Sequence, residues 1–149
     1  MAAGLSFDNE VFSKFAFYAG VVLLKTMLMS PWTTVHRIRR KVFASAEDYV
    51  AFGKGPASGK QDPHIERVRS CHQNDLENVI PFVLIGLLYV LTGPDVATAV
   101  LLFRIFAGSR LLHTVIYLNA IPQPSRAIAF LVGLGVNTFM AFAVLKRAW

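Results

Sequence analysis

Four long apolar stretches, separated by polar connections, constrain this chain more than any other feature. Three of them are close to or above the ~20 residues that an α-helix needs to cross the hydrocarbon of a bilayer, and the second, apolar from Val79 to Leu91, is preceded by a polar start of the same helix. Of the 149 residues, 54% are hydrophobic, and the mean hydropathy is +0.49. The sequence therefore predicts a single all-α integral membrane domain, a bundle of four transmembrane helices, and not a soluble globule.

The helix ends carry recognisable signals. Pro31 is expected to kink or end the first helix, because proline lacks an amide hydrogen and crowds the preceding turn. Asp62 and Pro63 suit the cap and the first position of the second helix. The Gly- and Lys-rich run 53–60 is interpreted as a flexible loop. The predicted bounds are about 11–36, 63–91, 96–118 and 124–146 for the helices and about 41–62 for the main polar connection.

Charge placement predicts the orientation and the partners. Eight Lys and Arg residues lie between Arg37 and Arg69, so the positive-inside rule places that connection in the cytosol, with both termini opposite. Lys146 and Arg147 favour the reverse orientation. The net charge of +6 comes from residues beside apolar spans and not from a nucleic-acid motif. We therefore expect membrane lipid and a small anionic ligand as partners, and no nucleic acid.

Two further features narrow the class. Asp8 and Glu10 precede the first apolar stretch, where a secretory signal has basic residues, so this stretch is interpreted as a retained span. Cys71 is the single cysteine. It excludes an internal disulfide and fits neither a CxxC redox motif nor a thiolate metal site, and no other metal-binding pattern is found.

Polar side chains recur at helical spacing in the polar start of the second helix and inside the third apolar segment. Ser70, Asn74 and Glu77 share one face of the second helix, and Arg69 borders that face. A second stripe on the third helix comprises Arg110, His113 and Tyr117. An Arg at bilayer depth costs roughly 2.5–3.5 kcal/mol, so such residues normally face a protein interior or a wet cavity. Both stripes lie near the cytosolic level of Arg37 and Arg126, which predicts a cationic pocket.

Each of these residues also has a simpler explanation. Arg69 and Glu77 could be solvated or paired with each other, and Asn74 could join two helices. Arg110 and His113 could belong to a buried Arg–Glu pair. The remaining simple roles are a loop brace for His72, an aromatic-belt position for Tyr117, an interfacial anchor for Arg126 and a snorkelling or internally paired Lys25.

Three motifs resemble those of the membrane-associated proteins in eicosanoid and glutathione metabolism (MAPEG) family. The resemblance extends over nearly the whole chain. The motifs are His72-x-Asn74-Asp75-Leu76-Glu77-Asn78, Arg110-x-x-His113-Thr114-x-x-Tyr117 and Pro122-Gln123-Pro124-Ser125-Arg126-Ala127.

This resemblance implies a homotrimer in the endoplasmic reticulum membrane, and in the mitochondrial outer membrane as a second compartment. It implies glutathione as co-substrate, bound between subunits on the cytosolic side, without a metal. The implied reactions are thiol transfer to hydrophobic electrophiles and reduction of lipid hydroperoxides. Arg126 would stabilise the thiolate, and the tripeptide would be held by Arg37, Arg69, His72, Asn74, Glu77, Arg110, His113 and Tyr117.

The chain departs from the family pattern at three positions. Ser70 stands where relatives commonly carry a second Arg, which removes one carboxylate contact. Tyr49 replaces the cysteine whose modification activates mammalian liver members, so that activation is predicted to be absent. Ala127 replaces a serine of the prostaglandin E synthase branch, which favours a transferase.

Three other functions are weighed against the transferase. A glutathione-dependent prostaglandin E synthase is the nearest alternative. A non-catalytic lipid-binding partner resembling five-lipoxygenase activating protein is disfavoured because Glu77, Arg110, Tyr117 and Arg126 are all present. A small channel or transporter is disfavoured because the sequence has no evident inverted repeat.

Overall fold

A computed structural model describes residues 4–52 and 62–149. This part of the chain contains five helices: α1 (Glu10–Arg40), α2 (Ala46–Phe52), α3 (Pro63–Leu91), α4 (Val96–Leu118) and α5 (Ser125–Ala148). All except α2 are long and apolar enough to cross a membrane. The predicted all-α membrane fold is confirmed. The Gly- and Lys-rich run of the predicted connection lies outside the described residues.

The first membrane helix runs through its proline. Asn9 caps its start by accepting a hydrogen bond from the Val11 amide at 3.0 Å, and Lys41, with φ of 54°, ends it. Pro31 deletes one backbone hydrogen bond, yet the helix continues to Arg40. Of the two expectations for Pro31, a kink or a helix end, the helix end is therefore wrong. Three Arg residues in the last turn oppose the negative end of the helix dipole.

The start of α3 is fastened to the end of α1. The Asp62 carboxylate accepts hydrogen bonds from the amides of His64 at 2.9 Å and Ile65 at 3.3 Å, and Arg40 donates to it at 2.9 Å. Slight desolvation acts to raise the pKa of Asp62, but these hydrogen bonds together hold it below its ordinary value. The predicted cap is thus also a tie between two helices.

The short helix α2 lies within the predicted polar connection, where no helix was expected. Tyr49 is its buried residue and packs edge-on against Phe43, with ring centroids 5.2 Å apart. Val50 and Phe52 remain exposed. A helix of seven residues is too short to show a clear hydrophobic period, which is why the pattern missed it.

An aromatic cluster holds together the half of the bundle where α3 ends and α4 begins. Phe82 and Phe106 stack with centroids 3.9 Å apart, and Phe15 and Phe103 meet edge-on at 5.3 Å. All four rings are buried. They join α1, α3 and α4, while α5 packs on the other side of α3 and α4. Gly86, which has no side chain, leaves the space that the Phe15 ring occupies.

Replacing Gly86 by Ala tests this packing. The new Cβ would lie 2.2 Å from a Phe15 ring carbon, so the cluster must shift, at a cost of about 1–3 kcal/mol. Gly20→Ala is the matched control, because its Cβ meets no atom within 4 Å. We expect the Gly86 variant, and not the control, to unfold at a lower temperature in detergent micelles. Equal unfolding temperatures would contradict the packing.

Candidate functional site

An open cavity of about 770 Å³ lies at the end of the bundle where α3 begins, α4 ends and α5 begins. Its lining is mainly polar and comes from α3, α4, the first turns of α5 and Gln123 in the connection before α5. The lining residues are Glu66, Arg69, Ser70, His72, Gln73, Asn74, Glu77, His113, Tyr117, Gln123, Arg126, Ala127 and Phe130. We call this the polar cavity.

Seven of the nine predicted site residues line the polar cavity: Arg69, His72, Asn74, Glu77, His113, Tyr117 and Arg126. His72 lines it although it lies off the i, i+4, i+7 stripe, because the cavity extends around α3 beyond that stripe. Arg37 and Arg110 do not line it. Arg37 is half-buried on α1 and donates to the Val42 carbonyl at 3.4 Å.

Three lining residues were not singled out from the sequence. Gln73 donates to the Glu77 carboxylate at 3.2 Å, and its i, i+4 spacing from Glu77 was a usable signal. Gln123 accepts a hydrogen bond from the Ala127 amide at 3.2 Å. Phe130 adds an apolar surface. The cavity is therefore lined by both polar and apolar groups.

Arg126 is held at the polar cavity by an aromatic ring. Its guanidinium carbon lies 4.4 Å from the centroid of the Tyr117 ring, which is cation–π distance. The Tyr117 ring in turn meets His113 edge-on at 5.5 Å. Arg126 is the second residue of α5, so the positive partial charge of the helix N-terminus adds to its own charge. The cavity therefore has a strongly positive side.

A second cluster of charges lies inside the bundle next to the polar cavity. Arg110 has no exposed surface, and its guanidinium donates to Asn74 Oδ1 at 3.2 Å and to the Ala129 carbonyl at 2.9 Å. A side chain at Gly133 would come within 3.1 Å of the guanidinium nitrogens. The partners of Arg110 are thus an amide and a backbone carbonyl, and not the glutamate considered as an alternative.

Lys25 and Asp75 form a buried ion pair in the same cluster. Lys25 also donates to Thr114 Oγ1 at 2.9 Å, and Thr114 donates to the Arg110 carbonyl at 3.1 Å. The interpretation of Lys25 as internally paired is correct, whereas Asp75 was not recognised as its partner. We call Lys25, Asp75, Arg110 and Thr114 the buried polar layer.

Cys71 and Arg104 do not line the polar cavity. Cys71 is fully buried, with its sulfur 3.8 Å from Thr114 Oγ1. Arg104 donates to the Tyr18 hydroxyl at 2.8 Å, away from the polar cavity. Among residues 4–52 and 62–149, no group of three or more His, Cys, Asp or Glu side chains could hold a metal ion.

Comparisons with known proteins agree with the motifs. Residues 15–146 match the MAPEG family. Microsomal glutathione S-transferase 1 of Homo sapiens is 56% identical over 142 residues, which cover 93% of this chain and 92% of that protein. The Sus scrofa protein of the same name is 53% identical, with 93% and 91% covered. Prostaglandin E synthase of Homo sapiens is 30% identical over 147 residues, with 99% and 96% covered.

The buried ion pair makes a stability prediction. Lys25→Met leaves the Asp75 carboxylate buried without its cation, which should lower the free energy of unfolding by about 3–5 kcal/mol. Adding Asp75→Asn removes the stranded charge and should restore much of that loss. The control is Lys14→Met, because Lys14 is exposed on the same helix. Chemical unfolding in mixed micelles measures the three variants, and equal stability of the two single variants would refute the pairing.

Proposed function

Because this chain belongs to the MAPEG family, we propose that it is a membrane-bound glutathione transferase. It conjugates the glutathione thiolate to hydrophobic electrophiles. The observation that carries the proposal is the polar cavity, in which Arg126 rests on Tyr117 opposite the polar face of α3. Similarity to the microsomal glutathione S-transferase 1 sequences over more than nine-tenths of the chain supports it.

The polar cavity fits the chemistry of glutathione. The tripeptide has two carboxylates and one ammonium group. One terminal nitrogen of Arg69 donates to the Glu66 carboxylate at 3.1 Å, and its remaining donors are available for a carboxylate of the tripeptide. Glu77 offers an acceptor for the ammonium group. The volume of about 770 Å³ lies within the range of small-molecule sites. We propose that His72, Asn74, His113 and Tyr117 supply the remaining contacts.

Arg126 supplies the chemical step in this proposal. A free thiol has a pKa near ~8.5, and the thiolate is the nucleophile. Lowering that pKa to ~6.5 needs about 2.7 kcal/mol of differential stabilisation, which a guanidinium in a partly dry site can provide. The proton leaves to water as glutathione binds. The thiolate then forms a carbon–sulfur bond to the electrophile and expels its leaving group as an anion.

The same thiolate supports a peroxidase reaction. It attacks the terminal oxygen of a lipid hydroperoxide, which releases the lipid alcohol and leaves a sulfenic acid on glutathione. A second glutathione converts this to the disulfide and water. Phe130 gives the cavity an apolar side, next to which a membrane-dissolved co-substrate can approach.

The similarity to prostaglandin E synthase sequences favours a second, less well supported activity. These sequences are 30–34% identical to this chain over most of its length. A glutathione thiolate in the same cavity would attack one oxygen of an endoperoxide and break the O–O bond, which leaves the other oxygen as an alkoxide that takes up a proton. Loss of the proton from the carbon that bears the sulfur-bound oxygen would then form a ketone, break the S–O bond and return the thiolate. The alanine at position 127 argues for the transferase.

We propose that the protein is a homotrimer, with each site between two subunits. Counting ~20 residues back from Leu91 places Gln73 and Glu77 at hydrocarbon depth, yet both are exposed on α3. Both line the open polar cavity, so in a lone subunit the Glu77 carboxylate would border lipid, which is costly, and a second copy would cover it. Arg37, which does not line its own cavity, would then reach the site of the partner subunit.

We further propose that the sites face the cytosol and that the membrane is that of the endoplasmic reticulum. The Arg-rich end of α1 and the polar cavity border the connection that the positive-inside rule assigns to the cytosol. The microsomal relatives support this compartment. The charges at Lys146 and Arg147 would then lie in the lumen.

Substituting Arg126 by Leu tests the catalytic role. Glutathione affinity should change less than about threefold. Thiolate formation, followed by ultraviolet absorbance after rapid mixing, and turnover with an aryl halide should both fall by about 10²-fold or more. The control is Arg147→Leu, at the other end of the same helix. Unchanged turnover in the Arg126 variant would remove its assigned role, and a wild-type protein without thiolate would refute the transferase.

Mixing two inactive variants tests the shared site. If Arg37 and Arg126 of one site come from different subunits, co-expressing Arg37→Leu and Arg126→Leu chains should restore activity at about a quarter of the sites. The control is the same mixture assembled from separately purified, non-exchanging oligomers. No recovery in freely mixed oligomers would show that both residues act within one subunit.

A further inference from the structure

The contact between Arg110 and Asn74 determines which atom of Asn74 is available to a ligand. A guanidinium group carries only donors, so the atom of Asn74 that meets Arg110 at 3.2 Å must be the carbonyl oxygen Oδ1. This leaves the amide nitrogen Nδ2, with its two hydrogens, as the polar atom that Asn74 can offer to the polar cavity. Asn74 therefore offers a donor there and not an acceptor.

Arg110 is itself fixed from several sides. Its second terminal nitrogen donates to the Ala129 carbonyl at 2.9 Å, and the glycine at position 133 leaves room for the guanidinium. Thr114, which is bonded to Lys25, donates to the Arg110 carbonyl. A guanidinium bonded to α3 and α5 and without any exposed surface has little freedom to turn toward a ligand.

Asp75, the residue after Asn74 on α3, also bonds to another helix. Asn74 bonds to Arg110 on α4, and Asp75, one position later, pairs with Lys25 on α1. Two consecutive residues of α3 are thereby anchored to two different helices. The rotation of α3 about its axis, and with it the direction in which Asn74 points, is set by these two bonds.

We infer that Arg110 is a positioning residue: it holds Asn74 so that the Asn74 amide nitrogen donates to an acceptor oxygen of the bound tripeptide. This rests on the proposed glutathione site. It assigns Arg110 an indirect role, exerted through Asn74, in place of a direct contact with the tripeptide. The buried polar layer therefore contributes to recognition of the ligand although it does not line the cavity.

A double-mutant cycle on glutathione binding tests the inference. Asn74→Ala should weaken binding about tenfold, as expected for one hydrogen bond to a charged acceptor. Arg110→Met should also weaken binding, because the amide becomes free to turn. The double variant should bind no more weakly than Asn74→Ala alone. Losses that multiply in the double variant would mean that Arg110 contacts the ligand itself, and would overturn the inference.

Asn74→Asp provides a test that does not depend on the folding of an Arg110 variant. Its carboxylate keeps and strengthens the bond to Arg110 but presents an oxygen to the cavity in place of the amide nitrogen. We expect thermal stability at least equal to that of Asn74→Ala, together with weaker glutathione binding than in that variant. Binding as tight as in the wild type would overturn the inference, because the donor would then be dispensable.

Two controls separate this inference from the proposed function. Arg104→Met removes an α4 guanidinium that lies outside the polar cavity, so it should leave glutathione affinity unchanged. Wild-type protein that neither binds glutathione nor forms the thiolate would refute the proposed function. Wild-type activity combined with multiplying losses in the cycle would refute only the role of Arg110.

Discussion

Ionised side chains inside a membrane bundle must find their partners within the protein, and this requirement organises the structure. Lys25 on α1 pairs with Asp75 on α3, and Arg110 on α4 bonds to Asn74 on α3 and to a carbonyl of α5. All four membrane helices therefore meet in one small region. Apolar packing alone would permit many helix rotations, whereas these directional bonds select one.

The two ends of the bundle are packed with different kinds of residue. Where α3 ends and α4 begins, stacked and edge-on phenylalanine rings fill the interior. At the other end lie the buried polar layer and, beyond it, the polar cavity. An apolar cluster of Met29, Val68 and Cys71 packs there too, but it is smaller than the core cluster at the aromatic end. Such a division lets a small chain keep charged groups inside a lipid-embedded fold.

Some of this architecture could be predicted from the sequence, for physical reasons. Span length and hydropathy identified four membrane helices, because the thickness of the bilayer sets helix length directly. Helical spacing grouped Asn74 with Glu77, and His113 with Tyr117, because residues three and four apart share a face.

Pairings between helices were harder to predict. Nothing local identifies Asp75 as the partner of Lys25, or Asn74 as that of Arg110, since these depend on how the helices rotate against one another. The short helix α2 was missed for a different reason, because seven residues are too few to show a hydrophobic period.

The bond between Arg40 and Asp62 has a practical consequence. It brings together two residues that are 22 positions apart in the chain, so the bundle itself closes the intervening segment. Chain-closure entropy rises only with the logarithm of length, and doubling such a segment costs about 0.6 kcal/mol. A fluorescent reporter or an affinity tag inserted between these two residues should therefore cost the bundle little stability.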